Sequence, residues 1–182
     1  MSFRAASAPA PAFSRRGVLL AGAASAFATP VVARPRRTRR PDEWPVYGGD
    51  NAGSKYSPLD QITAANASRL RIAWEWRSPD TAIAAANPGL GPAEFQATPI
   101  MAGGILYTST AFSQVVAIDA LTGRTLWVHD PGGWKRGRPT SKGFQHRGVA
   151  LWDGDGAARI YIATGDNRLI ALDAATGRPV RG

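Results

Sequence analysis

Residues 115–130, VVAIDALTGRTLWVHD, decide the fold because part of their pattern returns 54 positions later without a gap. The second copy, ALDAATGR, begins at Ala171. Eight of 20 aligned positions are identical between residues 105–124 and 159–178. Repetition at a fixed period of this size is typical of stacked supersecondary units. The sequence therefore predicts two similar units that pack side by side.

Each copy predicts a strand, a turn and a second strand, with no helical period between them. A shared Asp-Ala-x-Thr-Gly segment follows, in which the Asp side chain can accept backbone N–H bonds and the Gly can adopt a positive φ. The pattern favours antiparallel sheets. The predicted strands are Ile105–Ser109 with 115–118, and Arg159–Ala163 with 169–172.

Together these features predict an all-β protein. One such sheet buries too little to fold alone, so the units are expected to stack as blades of a β-propeller, about two to three of them in this chain. Trp127 is predicted to lie between neighbouring blades, where its indole N–H needs an acceptor. The alternative is a β-sandwich with two similar hairpins.

Charge is concentrated at one end of the 182-residue chain. Residues 1–40 carry eight Arg and no acidic residue, whereas residues 41–182 carry 14 Lys and Arg against 13 Asp and Glu. The body is nearly neutral, which argues against an electrostatic nucleic-acid surface. There is no cysteine, so disulfide and thiolate chemistry are excluded.

Residues 1–33 are predicted to be an export signal, since Arg15 and Arg16 precede the small and apolar run 17–33. The paired arginines are twin-arginine-like and predict a periplasmic protein. The alternative is an uncleaved membrane anchor, although the run is short for a stable span. Residues 34–43 are predicted to be a basic, Pro-rich, disordered linker before the body at 44–182.

Between these landmarks the sequence gives weaker signals. Residues 153–156, DGDG, suggest calcium, but no Glu follows at the right spacing and a hairpin turn is favoured. Residues 44–62 are expected to form turns and extended chain pinned by Trp44, Tyr47 and Tyr56. A half-buried strand is predicted at 66–76, a polar loop at 78–91 and one strand at 144–152. Residues 130–143 are predicted to form a long basic loop that either lines a channel mouth or is solvated.

Several motifs, in order, resemble one known family. Their sequences are WPVYGGD at 44–50, YSPLDQI at 56–62, FQATPI at 95–100, the Trp-containing repeat at 117–127 and RGVA at 147–150. Residues 44–182 thereby resemble the N-terminal part of the quinoprotein dehydrogenases that use pyrroloquinoline quinone (PQQ). The similarity favours the glucose and polyol branch, because Gln96 stands where the alcohol branch carries Glu.

The resemblance implies a propeller of usually eight blades, with PQQ above a calcium ion in the axial channel. It implies oxidation of a sugar, polyol or alcohol hydroxyl, and transfer of electrons to ubiquinone or cytochrome c. Arg147 matches the residue that pairs with a quinone carboxylate, and Gln96 matches a polar side chain at the acidic edge of the cofactor. The alternatives are a surface ion pair for Arg147 and a capped turn for Gln96.

The chain also departs from the family pattern. Phe112 replaces a His that lies near the cofactor in glucose dehydrogenases, while His146 either packs against the quinone plane or is structural. The calcium ligands and the catalytic Asp of the family lie beyond this chain, so we expect the chain alone to be inactive and marginally stable. A non-catalytic scaffold propeller and a ligand-sensing propeller remain alternatives; Gln96 and Arg147 together favour the dehydrogenase.

Overall fold

The computed structural model describes residues 40–91, 93–140, 143–154 and 156–180. The predicted export signal, residues 34–39 of the predicted linker and Asp155 lie outside these ranges. No helix in the described ranges is long and apolar enough to cross a membrane. The elements are β1 Ala93–Phe95, β2 Ile100–Ala102, β3 Ile105–Ser109, β4 Val115–Asp119, β5 Thr125–His129, β6 Phe144–His146, β7 Ala150–Trp152, β8 Arg159–Ala163, β9 Leu169–Asp173, a helix α1 at Asp80–Ala86, and 3-10 turns at Ala67–Arg69, Pro88–Leu90 and Gly133–Arg136.

The strands form a four-stranded antiparallel sheet, β2-β3-β4-β5, a three-stranded antiparallel sheet, β7-β8-β9, and a parallel ribbon, β1-β6. The two antiparallel sheets follow the sequence repeat in register. Tyr107 lies opposite Ala117 in the first sheet, and Tyr161 lies opposite Ala171 in the second. The predicted repeat of strand, turn and strand is confirmed.

The hairpin turns of the two sheets are also equivalent. The Thr110 amide donates to the Gln114 carbonyl at 2.9 Å, and the Thr164 amide donates to the Arg168 carbonyl at 2.8 Å. Each loop of three residues ends on a residue with positive φ, Ser113 in the first and Asn167 in the second. This is a common geometry for three-residue hairpin loops, and it keeps the flanking strands in register.

The Asp-Ala-x-Thr-Gly segments fold into the predicted turns. Asp119 Oδ1 accepts bonds from both the amide and the hydroxyl of Thr122 at 2.9 Å. Asp173 Oδ1 accepts from the Thr176 amide at 2.8 Å and from its hydroxyl at 2.7 Å. The pKa of Asp119 is held below its ordinary value mainly by the bond from the Thr122 amide and next by the bond from the Thr122 hydroxyl. The pKa of Asp173 is lowered in the same way, with the Thr176 hydroxyl as the larger cause and the Thr176 amide as the smaller.

The indole of Trp127, on β5, joins the two sheets. Its N–H donates to the Ala174 carbonyl at 3.1 Å. Its ring lies so close to Gly177 that a Cβ there would come within 2.5 Å of it. The buried Tyr107 donates its hydroxyl to the same carbonyl at 3.2 Å. The indole therefore lies where the sequence predicted, between neighbouring units and with its N–H paired.

Trp74 makes the equivalent contact one unit earlier. Its N–H donates to the Ala120 carbonyl at 3.2 Å, and a Cβ on Gly123 would lie 2.6 Å from its ring. Ala120 and Ala174 occupy the same position in the two copies. Trp74 therefore contacts the turn of the first sheet in the same way as Trp127 contacts the turn of the second.

The core lies between the two antiparallel sheets, where both present their apolar faces. The indole of Trp127 packs against this cluster from the side. Removing this surface from water is the main favourable contribution to the packing of the sheets. The buried members are Ile100, Tyr107, Val115, Ala117, Ile160, Ile162, Leu172 and Ala174.

The prediction of a strand at residues 66–76 is wrong. A 3-10 turn occupies Ala67–Arg69, and in the described chain no strand pairs with residues 70–76. Leu70 and Ile72 are 57% and 78% exposed, whereas the indoles of Trp74 and Trp76 donate to groups of the first sheet. Only residues 74–76 keep two faces, with half-buried indoles on either side of the exposed Glu75, and a strand also needs a neighbour to satisfy its backbone groups.

Two further expectations are wrong. Residues 78–91 are not only loop, because α1 begins at Asp80 with the Ala-rich sequence DTAIAAA, which has high helix propensity. Residues 144–152 are not one strand but two, β6 and β7, which belong to different sheets. Gly148 separates them with a φ of 139°.

The N-terminal segment is held by fewer side chains than predicted. Trp44 exchanges backbone hydrogen bonds with Met101 at 2.9 and 2.8 Å, and its indole lies over Gly49. Tyr47 and Tyr56, however, are 69% and 67% exposed, so they do not pin this segment. Within the predicted linker, Glu43 is buried and accepts from the Gly103 amide at 3.0 Å.

Replacing Gly177 with Ala is expected to destabilise the protein more than replacing Gly104. Both have positive φ, 70° and 77°, which costs an Ala about 1 kcal/mol. Only at Gly177 would the new Cβ also clash with Trp127, which adds about 1–3 kcal/mol. Urea unfolding of the two variants measures the difference. Equal losses would show that the Gly177–indole contact is not tight.

The two turn carboxylates predict a loss of stability in acid. Their folded pKa values lie below the ordinary 3.8, so their contribution is present above that value and is lost as the pH falls below it. The free energy of unfolding is therefore expected to drop between about pH 4 and pH 2. Replacing both Asp119 and Asp173 with Asn should flatten this drop, measured by urea unfolding at each pH. An unchanged slope would contradict the assignment.

Candidate functional site

The parallel ribbon brings the two predicted site residues together. Phe95 pairs with His146 at its end, so Gln96 and Arg147 leave it from neighbouring positions. Immediately beyond, the Thr98 amide donates to the Arg147 carbonyl at 3.1 Å. Neither residue belongs to a strand of the antiparallel sheets.

Gln96 and Arg147 line one open cavity of about 470 Å³. Polar groups come from Gln96, Thr98 and Arg147, and the other walls come from Tyr47, Ile100, Gly148 and Val149. A mixed wall of this kind, with a few converging polar groups, is typical of small-molecule sites. The Arg147 guanidinium is planar and permanently charged, and its paired N–H groups suit a carboxylate.

The surroundings of the two side chains differ. In the described ranges, no Asp or Glu side chain forms an ion pair with Arg147, so the surface ion pair considered for it is not seen there. Gln96 donates through Nε2 to Glu94 Oε2 at 2.6 Å, on the exposed side of the ribbon. Arg147 is thus the better candidate for binding an anion.

Gly148 allows the chain to pass close to Thr98. Its φ of 139° disfavours any other residue, and a Cβ would lie 3.0 Å from the Thr98 carbonyl oxygen. The bond from the Thr98 amide to Arg147 depends on this approach. Both residues lie within the family-like motifs, but the sequence alone gives neither a role; the sharp turn explains why a Gly follows the Arg.

The contacts of both ring nitrogens of His146 support a structural role for this residue. Nδ1 lies 2.7 Å from Ser109 Oγ and 3.2 Å from the Gly148 amide nitrogen, and Nε2 lies 2.7 Å from the Ala163 carbonyl oxygen. Both nitrogens therefore have partners within the protein.

A buried carboxylate that the sequence did not reveal lies between α1 and the first hairpin. Asp80 Oδ1 accepts from the Thr110 hydroxyl at 2.7 Å and from Gln114 Nε2 at 2.6 Å, and Oδ2 accepts from the Phe112 amide at 3.1 Å. These bonds fasten α1 to the first hairpin. The run Ser-Pro-Asp before an Ala-rich segment is a helix-start signal that could have found it.

Phe112 itself is buried in an aromatic cluster. Its ring meets Phe144 edge to face at 4.6 Å and lies 6.5 Å from the ring of Trp134. An imidazole is expected at this position in glucose dehydrogenases, but here the side chain offers no polar group. The cluster instead fixes the start of β6, and with it the ribbon.

The long basic loop packs over the hairpins. Trp134 belongs to the aromatic cluster, and Arg168 Nη2 donates to the Pro131 carbonyl at 2.8 Å. Asp166 forms ion pairs with Arg168 at 2.8 Å and with Arg136 at 3.4 Å. The pKa of Asp166 is held below the usual range, mainly by the hydrogen bond from the Thr164 hydroxyl and then by Arg168. The alternative of a freely solvated loop does not describe residues 131–134, which are half-buried.

The sheets, the interlocking indoles and the cavity at their loop ends define a segment of a β-propeller with a candidate small-molecule site. The family model "PQQ: Glucose/ethanol/alcohol dehydrogenase, beta-propeller domain" matches residues 44–182. The chain therefore belongs to the PQQ-dependent dehydrogenase family, and its sheets are part of that family's propeller.

Known relatives include both branches of the family. The quinohemoprotein alcohol dehydrogenase of Comamonas testosteroni is 40% identical over 153 residues, 81% of this chain and 19% of the relative. The quinoprotein glucose dehydrogenase of Gluconobacter oxydans is 36% identical over 157 residues, 77% of this chain and 18% of the relative. The chain thus spans about a fifth of their length.

Solved structures agree with this assignment. The crystal structure of the Comamonas testosteroni enzyme matches 76% of this chain and 19% of its own, with a TM-score of 0.60 and 40% identity. A europium-containing methanol dehydrogenase matches 79% of this chain and 23% of its own, with a TM-score of 0.60 and 25% identity. The predicted fold class is confirmed.

Replacing Asp80 with Ala is expected to lower the free energy of unfolding by about 2–3 kcal/mol, because it removes the acceptor of three buried donors. Asp80→Asn should cost less, since the Gln114 amide can flip to pair with it. The exposed Asp60→Ala is the control and should change stability by less than about 0.5 kcal/mol. Urea unfolding measures the free energy of unfolding of each variant. Equal losses in Asp80→Ala and Asp60→Ala would exclude the anchoring role of Asp80.

Proposed function

We propose that this chain is the N-terminal portion of a periplasmic PQQ-dependent dehydrogenase that oxidises the hydroxyl of a sugar, polyol or alcohol. The observation that carries the proposal is the placement of Gln96 and Arg147 side by side on one cavity, in a member of this family. A scaffold propeller has no need for this pair.

The cavity fits part of such a cofactor. PQQ is flat and carries carboxylates, so it needs apolar walls and a cation; Ile100 and Val149 offer the first and Arg147 the second. Arg147 would hold a carboxylate, and Gln96 would turn from Glu94 to hydrogen-bond the acidic edge. When bound, the quinone supplies the two-electron acceptor for alcohol oxidation.

The remaining machinery is assigned to segments beyond this chain. The catalytic base and the calcium ligands are expected there, because the chain spans only 19% of a relative such as the Comamonas testosteroni enzyme. The exposed side chains of Leu70 and Ile72, on a segment without a strand partner in the described ranges, support completion by further sheet. The chain alone is then inactive and marginally stable.

Export and partners follow from the same proposal. Arg15 and Arg16 before an apolar run support twin-arginine-like export to the periplasm, with the N-terminus as a membrane contact if it is retained. Electrons would pass to ubiquinone or cytochrome c. Gln96 supports a sugar or polyol as substrate, whereas the alcohol dehydrogenases among the relatives support a simple alcohol.

A chimera tests the proposal. Residues 44–182 replace the matching segment of the Comamonas testosteroni alcohol dehydrogenase. The chimera should bind PQQ and oxidise alcohols or polyols only when PQQ is present, whereas the 182-residue chain alone should show no activity. Arg147→Gln should weaken PQQ binding about 10- to 100-fold, because it removes charge-assisted bonds to a carboxylate.

Arg124→Gln is the matched control, since it removes the same charge from an exposed turn outside the cavity. PQQ affinity is measured by fluorescence titration. Equal affinity in Arg147→Gln and in the unmodified chimera would refute the role of Arg147. A folded chimera that binds no PQQ would favour the scaffold alternative.

A further inference from the structure

His146 lies where three parts of the fold meet. It is the last residue of β6 in the parallel ribbon, and its ring reaches Ser109 on β3 and Ala163 on β8. It thus connects the ribbon to both antiparallel sheets. Ser109 is fully buried, so the ring meets the first sheet away from solvent.

The partners of the ring define its tautomer. The Ala163 carbonyl can only accept, so Nε2 carries the proton; the Gly148 amide can only donate, so Nδ1 carries none. The Ser109 hydroxyl then donates to Nδ1 at 2.7 Å. These partners select a single tautomer and engage both ring nitrogens within the protein.

The residue that these bonds hold in place is Arg147. His146 fixes the chain on one side of it, and the Gly148 amide, bonded to the same ring, fixes the chain on the other. The Arg147 carbonyl also accepts from the Thr98 amide. The Arg147 backbone is therefore held from both neighbours and across the ribbon.

We propose that His146 is a positioning residue that sets where the Arg147 guanidinium enters the cavity. The proposal rests on the proposed function in one respect, that Arg147 binds a carboxylate of PQQ. It differs from a general stabilising role, because the two sheets are joined independently of His146 by Trp127 and by their shared core. Loss of the ring should loosen the ribbon and leave the sheets in place.

The first test needs no ligand. In the 182-residue chain, amide hydrogen exchange followed by NMR reports the Thr98 and Gly148 N–H groups directly. His146→Phe keeps the ring shape but removes both nitrogens, so exchange at these two amides should rise at least about tenfold. Amides in the centres of β4 and β9 should change by less than about twofold.

Matched variants separate the bonds of the ring. His146→Asn keeps an oxygen near the Nδ1 position and should restore protection at Gly148; His146→Gln keeps a donor near Nε2 and should restore less of it. His129→Phe, at the other histidine, on β5, is the control and should leave Thr98 and Gly148 unchanged. Unchanged exchange at Thr98 and Gly148 in His146→Phe would overturn the proposal.

The second test uses PQQ affinity in the chimera. His146→Phe should weaken PQQ binding about 10- to 100-fold through misplacement of Arg147. If His146 acts through Arg147, adding His146→Phe to Arg147→Gln should cause little further loss. Full additivity, or an affinity unchanged in His146→Phe, would overturn the positioning role.

The two failures are distinguishable. Absence of PQQ binding in the unmodified chimera would count against the proposed function alone. The exchange experiment would still decide whether His146 fixes the Arg147 segment. Conversely, PQQ binding that depends on Arg147 but not on His146 would leave the proposed function intact and remove the further inference.

Discussion

The contact between an indole and a glycine-containing turn is the constraint on which the rest of the structure depends. Trp127 must bury a large ring and also pair its N–H, and the Gly177 turn meets both needs only where the Cβ is absent and the Ala174 carbonyl can accept from the indole. This fixes the distance and rotation of one sheet against the next. Trp74 repeats the contact on the preceding side, so the geometry propagates along the chain.

Once the sheets are fixed, the connections between them have to cross a defined gap. The segments that lead into the two sheets, β1 and β6, pair as a parallel ribbon, and the chain then breaks sharply at Gly148 to enter the second sheet. Side chains at such breaks do not have to alternate between the two faces of a sheet. Gln96 and Arg147 lie there, which is why they share a cavity. His146 holds the adjacent backbone, whereas Asp80 and Phe112 hold α1, the first hairpin and the start of β6.

Local repetition made the sheets predictable. The copies share the residues that fold their own turns, such as Asp119 and Gly123, and those bonds span only a few positions. The strand predicted at 66–76 failed for the opposite reason. Alternation specifies two faces but not a neighbour, and the described chain supplies none. Asp80 was missed because its partners, Thr110 and Gln114, lie about thirty residues away along the chain.

The sequence by itself determined the repeat, the turn chemistry, the indole contact and the family, because each depends on residue types at fixed short spacings. It also singled out Gln96 and Arg147 as candidate site residues through motifs. Only the tertiary structure decided that these two residues are neighbours and that His146 has a single tautomer. The first fact depends on a parallel pairing between segments some fifty residues apart, and the second depends on ring partners that lie in other strands, and no local pattern encodes either.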